Sequence, residues 1–310
     1  MISVRWLDGK VRCPYCQSEK VTYLEKARVY RCYGDHPKQK FSLKVGTIFE
    51  DSAIALEKWL PAAWLITSCK NGVSSWELHR ALGVTQKTAW FMLHRLRLAM
   101  QTQSFGKIGG EGSEVEVDET YVGARAQNMH KSRKDRIRQA QAQVRSAETI
   151  ASRYYAKTPV QGFLDREQRK VRATVVANVK RETLQDRILN QIERGSRVYT
   201  DQALAYTKLQ DKYVHEFVNH LESYVRGRVH TNGMENFWSL LKRGLKGTYV
   251  AVEPYHLQRY VDEQAFRYNN RATEDNPLTD ADRFHLAMTQ IVGKRLTYSE
   301  LTGKDWQAPF

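Results

Sequence analysis

VEVDETYVG, running from Val115 to Gly123, alternates β-branched with polar residues, and the fold is read outward from it. The period of two predicts a strand with Val115 and Val117 on one face and Glu116 and Asp118 on the other. A carboxylate in mid-strand is unfavourable unless something binds it, so Asp118 calls for a cation. A second strand-like run, RVYTDQALAY from Arg197 to Tyr206, reaches Asp201 where its pattern turns helical. Between them, GFLDREQRKVRATVVANV reads as a hairpin pair of strands and RETLQDRILNQIER as an amphipathic helix. Strand, hairpin, helix and strand in that order set two aspartates side by side on neighbouring strands. Taken alone, Asp201 also suits the N-cap of the helix after it.

Further along, HTNGMENFWSLLKRGLKGTYV (His230 to Val250) is helical from about Gly233. Glu235, Trp238, Leu241 and Lys242 fall on one face, so a carboxylate and a lysine two turns apart can face the aspartates together. Three such carboxylates suit two Mg²⁺ ions, which take oxygen ligands and keep waters or phosphate oxygens in their other positions. A metal pair of this kind activates an attacking hydroxyl and stabilises the leaving oxygen in a displacement at phosphorus. Other roles remain open: Glu235 as an exposed first-turn acid favoured by the helix dipole, Trp238 as core, and His230 and Asn232 as residues that orient the helix start.

The N-terminal third reads differently. Cys13 and Cys16 in CPYC, then Cys32 and His36, have the spacing of a Cys₃His zinc ribbon, and the segment between them alternates as a ribbon hairpin does. A metal-free structural Cys32 is the alternative, and Cys69 reads as a small core residue. Beyond the ribbon the period becomes helical. One helix is expected from about Ala53 to Cys69. A second is opened by the capping box at Ser74 and Glu77 and ended by Gly83, and a third is capped by Thr85 and runs to about Met100. A short helix, a glycine turn and a longer capped helix make a helix-turn-helix, with Gln86, Lys87, Thr88 and Phe91 presented to a major groove and Arg95 and Arg97 following. An ordinary three-helix packing module is the alternative. The glycine-rich SFGKIGGEGSE, within residues 104–114, reads as a linker.

Composition agrees with a polyanion partner. The 310 residues carry 49 Lys+Arg against 34 Asp+Glu, a formal charge of +15, while 41% hydrophobic content is ordinary for a globular chain. The apolar stretch from Trp59 to Cys69 is too short to span a bilayer, and Arg5, Asp8 and Lys10 interrupt any leader-like run. No membrane role and a cytoplasmic, nucleoid-associated location are expected.

CPYC, KVGTIFEDS, KWLPAAWLITS, VEVDETYVG, VYTDQALAY, HTNGMENFWSLLKRGLKGTY and LQRYVDEQAFRYNNR together resemble the bacterial insertion-sequence transposases related to Merlin elements. The likeness spans nearly the whole chain apart from Ala124 to Val160, and its last two strings are the most specific. The resemblance implies an α/β fold: an RNase-H-like mixed-sheet DDE catalytic domain behind an N-terminal zinc ribbon and a helical helix-turn-helix domain. It implies Asp118, Asp201 and Glu235 as the triad and the ligands of Mg²⁺ or Mn²⁺, with Asn232 as rival third ligand. Lys242 then corresponds to the basic residue that contacts the transposon end, in a basic turn with Arg243.

The expected domains are a ribbon over 1–50, a helix-turn-helix over 51–103, a linker over 104–114 and a catalytic domain over 115–310. A C-terminal helix in NPLTDADRFHLAMTQIV packs on the catalytic domain, and residues 124–160 form a basic insertion whose Lys131, Arg133, Lys134 and Arg136 track a phosphate backbone. The implied activity is metal-dependent cleavage and transfer of DNA ends by a homodimer or larger assembly on DNA. A catalytically inactive DNA-binding regulator and a nuclease without strand transfer are the rivals. His36 stands where the family has cysteine.

Overall fold

Val21–Leu24 (β1) and Val29–Cys32 (β2) form an antiparallel hairpin whose turn is closed by Arg28 in the left-handed region, and Lys40–Phe41 (β3) adds a third strand beside β2. The fold belongs to a computed structural model that describes residues 1–6, 8–101, 106–123, 131–132, 135, 157–201, 206, 213–218, 230–274 and 276–303, with only the backbone at 201, 217 and 218. Two compact units result, Met1–Thr102 with Asn270–Phe310, and Gln103–Asn269.

In the first unit, a single turn at Ile2–Arg5 (α1) precedes the small sheet, and three helices follow it: Leu56–Ser68 (α2), Ser75–Leu82 (α3) and Gln86–Met100 (α4). Their ends follow from side-chain chemistry. Ser74 accepts from the Glu77 N–H at 3.2 Å while the Glu77 carboxylate accepts from the Ser74 N–H at 2.7 Å. Gly83, at φ +59°, ends α3 in the left-handed conformation, and the Thr85 hydroxyl caps α4. Helix α4 is mostly interior, burying Ala89 and the run from Met92 to Arg97.

The second unit is a five-stranded mixed sheet. Glu114–Val122 (β4) pairs along its length with antiparallel Thr158–Asp165 (β5), which pairs with Lys170–Val175 (β6). After helix Arg181–Gln191 (α5) the chain returns as Arg197–Asp201 (β7), parallel to β4, and Val214–Val218 (β8), parallel to β7, giving the order β6-β5-β4-β7-β8. Helices Asn232–Gly244 (α6) and Leu257–Asn269 (α7) lie on one face. Alternation sorts the two cores. Val115, Val117, Phe163 and Val198 pack with Leu184 and Ile188 of α5, whereas Val160, Leu164, Val171 and Ala173 pack with Met234, Phe237, Trp238 and Val261. This mixed α/β architecture is compatible with an RNase-H-like domain.

Three expectations need correction. The described part of the glycine-rich linker is part of the second unit: Ile108 bridges to Ile192, Gly109 N–H donates to Asp165 at 3.2 Å and Gly110 N–H to Ser196 at 3.0 Å. Thr158 to Val160, assigned to the basic insertion, belong to β5; most of that insertion, including Arg133, Lys134 and Arg136, lies outside the described residues. The C-terminal helix, Asp280–Thr289 (α8), expected on the domain of the sheet, belongs to the first unit and packs on α2 and α4. Beyond it, Ile291 and Gly293 exchange backbone hydrogen bonds with Ile48 and Gly46, and the Lys294 ammonium donates to the Leu98, Ala99 and Gln101 carbonyls before Tyr298–Thr302 (α9). An amphipathic helix shows in sequence that it must pack, but not against which surface. Among the described residues no helix is long and apolar enough to cross a membrane.

Candidate functional site

Strand β4 carries Asp118 half-buried, opposite Gly162 of β5. That glycine is required by close approach. A Cβ there would stand 2.3 Å from the Met234 methyl and 2.7 Å from the Trp238 ring, so only hydrogen lets α6 lie against the sheet at this level. With α6 this near, the Trp238 indole N–H donates to Asp118 Oδ2 at 2.9 Å. Trp238 is thus both core and part of the site.

The parallel register of β4 and β7 pairs Glu116 with Tyr199, and two residues beyond that pair along the two strands are Asp118 and Asp201. The Asp201 side chain lies outside the described residues. On α6, Glu235 and Asn232 are both exposed in the first turn, on the helix that brings Trp238 to Asp118. Lys242, one turn past Trp238, shares this environment. Burial pushes its ammonium below the ordinary value, the Asp118 carboxylate pulls it back up, and Lys157 and Lys246 push it down again. Arg243 is exposed in the last turn of the same helix.

Beneath this surface lie groups that single-sequence reasoning missed. Glu116, 1% exposed, accepts from the Met234 N–H at 2.9 Å and from Arg166 Nε at 2.7 Å, tying β4 to the open N-terminus of α6. The polar face of VEVDETYVG was the available signal for Glu116. Arg166 had none, because its partners are remote in sequence.

In the first unit, the Cys13, Cys16 and Cys32 sulfurs and a His36 ring nitrogen all lie within 4.8 Å of one another. Cys13 Sγ is 3.3 Å from His36 Nε2 and Cys16 Sγ is 3.5 Å from Cys32 Sγ, close to the ~3.5–3.8 Å edges of a tetrahedron around zinc. Gly34 fits the same cradle: its N–H donates to Cys32 Sγ at 3.2 Å, and a Cβ would stand 2.9 Å from Cys16 Sγ. Burial disfavours the Cys13 thiolate, but the Tyr15 and Cys16 N–H groups, together with the Cys32 and Cys16 thiols, outweigh it and draw the thiol below its ordinary value. This donor set suits zinc, with His36 in the fourth position.

The residues expected to meet a major groove separate into two groups. Lys87 is exposed at the start of α4, its ammonium 4.7 Å from the Tyr298 ring centre, and Gln86 beside it is half-buried and donates to Ser75 Oγ at 2.8 Å. Arg95 is not available to a partner. It is 4% exposed, with Nε donating to the Leu296 carbonyl at 3.0 Å and Nη1 to the Ile48 and Glu50 carbonyls at 3.0 and 2.7 Å. Contrary to the sequence-based expectation it does not face DNA: the guanidinium satisfies loop carbonyls inside the unit. Arg97, 1% exposed, is buried as well.

Residues 108–269 match the model of the ISXO2-like transposase domain. The chain is 32% identical over 253 residues to an uncharacterized protein in transposable element ISH50 of Halobacterium salinarum, covering 79% of this chain and 81% of that protein. A cryoEM structure of a simian T-cell lymphotropic virus intasome in complex with PP2A regulatory subunit B56 gamma aligns over 67% of this chain and 70% of its own, at 13% identity and a TM-score of 0.31, too distant to bear on fold or partner. The matched domain covers the whole five-stranded sheet and the helices that bear the candidate site, and with the ISH50 relative it establishes that this chain belongs to the ISXO2-like insertion-sequence transposases.

Proposed function

We propose that the chain cleaves the ends of its own mobile element and joins them to target DNA, using Asp118, Asp201 and Glu235 as metal-binding acids. The observation that carries this reading is the meeting of β4 and α6, where Asp118 is held by Trp238 and Lys242 lies within electrostatic reach. A half-buried carboxylate with one oxygen aimed by an indole N–H, on a strand whose parallel neighbour ends in a second aspartate, is a hard oxygen donor set that fits Mg²⁺ or Mn²⁺. Glu235 is preferred to Asn232 as third ligand because a charged carboxylate is the stronger donor to such an ion. A bound metal pair would supply charge stabilisation at the scissile phosphate. The protein's own residues fix the geometry: Trp238 orients the Asp118 carboxylate, and Lys242 and Arg243 on α6 bind the phosphates of the DNA end.

In the first unit, zinc on Cys13, Cys16, Cys32 and His36 holds the small sheet. Helices α3 and α4 act as a helix-turn-helix that reads terminal repeats with the first turn of α4, the half-buried Gln86 and the exposed Lys87, and without Arg95. Joining two ends calls for two such sites, so a homodimer or larger complex on DNA is expected, working in the cytoplasm on the nucleoid.

Oligonucleotides carrying the element's ends, incubated with a target duplex and Mg²⁺, provide the test. Joined product that disappears in Asp118→Ala while end binding persists is the expected result. Cutting without joining would replace this function with that of a nuclease, and binding with neither would make the chain a regulator.

A further inference from the structure

Arg166 stands immediately after β5, and its guanidinium reaches three separate elements of the second unit. Nε donates to Glu116 Oε1 at 2.7 Å and Nη1 to Glu114 Oε2 at 3.0 Å, both on β4. Nη2 donates to the His230 carbonyl at 2.7 Å and to His230 Nδ1 at 2.8 Å, just before α6. A guanidinium has no acceptor, so Nδ1 accepts in the last of these contacts. Its Cζ lies over the Tyr199 ring on β7, 4.6 Å from the ring centre.

Three of these four partners, Glu116, Tyr199 and His230, stand close along the chain to the proposed third-ligand turn or to one of the aspartates. Glu116 precedes Asp118 by two residues on β4, and Tyr199 precedes Asp201 by two on β7. Residues two apart on a strand share a face, so Arg166 approaches the sheet on the side that carries the carboxylates. His230 precedes the α6 turn that holds Asn232 and Glu235, and Glu116 Oε2 accepts from Met234 N–H in that turn at 2.9 Å. Gly233 completes the joint. A Cβ there would come 2.9 Å from Glu116 Oε2 and 2.3 Å from Leu164 Cδ2, so the helix start sits directly on this carboxylate.

We propose that Arg166 is the positioning residue that locks β4, β7 and the start of α6 in one register, so that Asp118, Asp201 and the third acid converge on the metal. The inference rests on the assignment of those acids made above. Arginine is needed rather than lysine: its planar fork spans several acceptors while its charge lies over a ring, whereas an ammonium is a single point of charge. Groups that hold metal ligands from behind typically change affinity by about 10–100-fold when altered.

The test compares full-length wild type, Arg166→Lys and Asp118→Asn. Mn²⁺ binding without DNA is followed by electron paramagnetic resonance, and the Mn²⁺ concentration giving half-maximal joining is measured separately. End binding, assigned to the first unit, and far-ultraviolet circular dichroism serve as controls for folding. The expected result is a folded Arg166→Lys protein with normal end binding, Mn²⁺ affinity weaker by about tenfold, a joining midpoint raised by a similar factor, and joining largely restored at saturating metal. A general structural defect would instead lower joining at every metal concentration and leave the midpoint in place, which overturns the proposal, as does wild-type Mn²⁺ affinity in folded Arg166→Lys. Should that variant fail to fold, Tyr199→Leu removes only the ring under the guanidinium; weaker Mn²⁺ binding in it supports the proposal and unchanged binding defeats it. If wild type and Asp118→Asn bind Mn²⁺ equally, the acid assignment itself falls and takes the positioning role with it.

Discussion

Trp238 Nε1 lies 2.9 Å from Asp118 Oδ2, so the side chain that fills the core under α6 also aims the carboxylate on β4. Trp238→Phe keeps most of the ring and removes the donor. The expected cost is about 1 kcal/mol in urea unfolding, with joining slowed by about tenfold as the carboxylate loses its fixed orientation. Unchanged single-turnover joining in a protein destabilised by that amount would reduce Trp238 to a packing residue.

Gly162 and Gly247 make a matched pair. Gly162→Ala drives a methyl against the Met234 side chain and the Trp238 ring, whereas nothing lies within 4 Å of a Cβ at Gly247. Overpacking of this kind costs about 1–3 kcal/mol and displaces α6 from Asp118, so Gly162→Ala loses both stability and joining. Gly247→Ala is expected to stay within about 0.5 kcal/mol of wild type. Equal stabilities on denaturant titration would show that α6 does not press on the sheet at this point.

How much of this was visible in the sequence depends on how local the cause is. The strand at VEVDETYVG, the capping box of Ser74 and Glu77 and the turn at Gly83 are set by neighbours a few residues away, and each was legible. So was the cluster of Cys13, Cys16, Cys32 and His36, because metal-ligand spacing is itself a local pattern. Arg95 was misread because an arginine on a capped helix looks the same in sequence whether it faces solvent or three buried carbonyls, one of them contributed by Leu296. Arg166 went unseen for the same reason: Glu116, Tyr199 and His230 meet only after the sheet has formed.

Arg95 and Lys87 are expected to fail in different ways. Arg95→Met leaves the Ile48, Glu50 and Leu296 carbonyls without their donor and lowers the stability of the first unit by about 3 kcal/mol, while the folded fraction binds DNA with an unaltered salt slope. Lys87→Ala leaves melting unchanged and reduces the slope of log affinity against log salt by about 1. Salt titrations of end binding beside thermal melts separate the two, and a reduced slope in Arg95→Met would restore that residue to the interface.

His215 sets an acid limit on stability. Burial holds its folded pKa below the ordinary 6.5, with Nε2 2.9 Å from Thr200 Oγ1. Below 6.5 the unfolded chain therefore binds a proton that the folded chain resists, and stability falls as pH drops through that value. His215→Gln removes this titration. Its melting temperature relative to wild type should rise as the medium goes from about pH 8 to about pH 5, and parallel melting curves over that range would assign the acid sensitivity to other groups.

Metal removal tests the other centre. With three sulfurs and an imidazole gathered around one point, a zinc chelator is expected to unravel β1 to β3 and abolish end binding while the five-stranded sheet keeps its hydrogen-exchange protection. Cys32→Ser should reproduce the effect without chelator. Equal zinc content in Cys32→Ser and wild type, measured by atomic absorption, would exclude Cys32 as a ligand.

The return of the chain to its starting unit orders the molecule's assembly in time. Ribosomal synthesis delivers Met1–Thr102 first, yet the surfaces of α2 and α4 wait for α8, and the carbonyls at the end of α4 wait for Lys294. The five-stranded sheet, lying wholly within Gln103–Asn269, is synthesised in between and is free to fold before the first unit closes. A nascent chain therefore completes its five-stranded unit before the unit that holds its own N-terminus. A message broken after residue 269 would yield the whole second unit beside a first unit that lacks α8, Lys294 and α9.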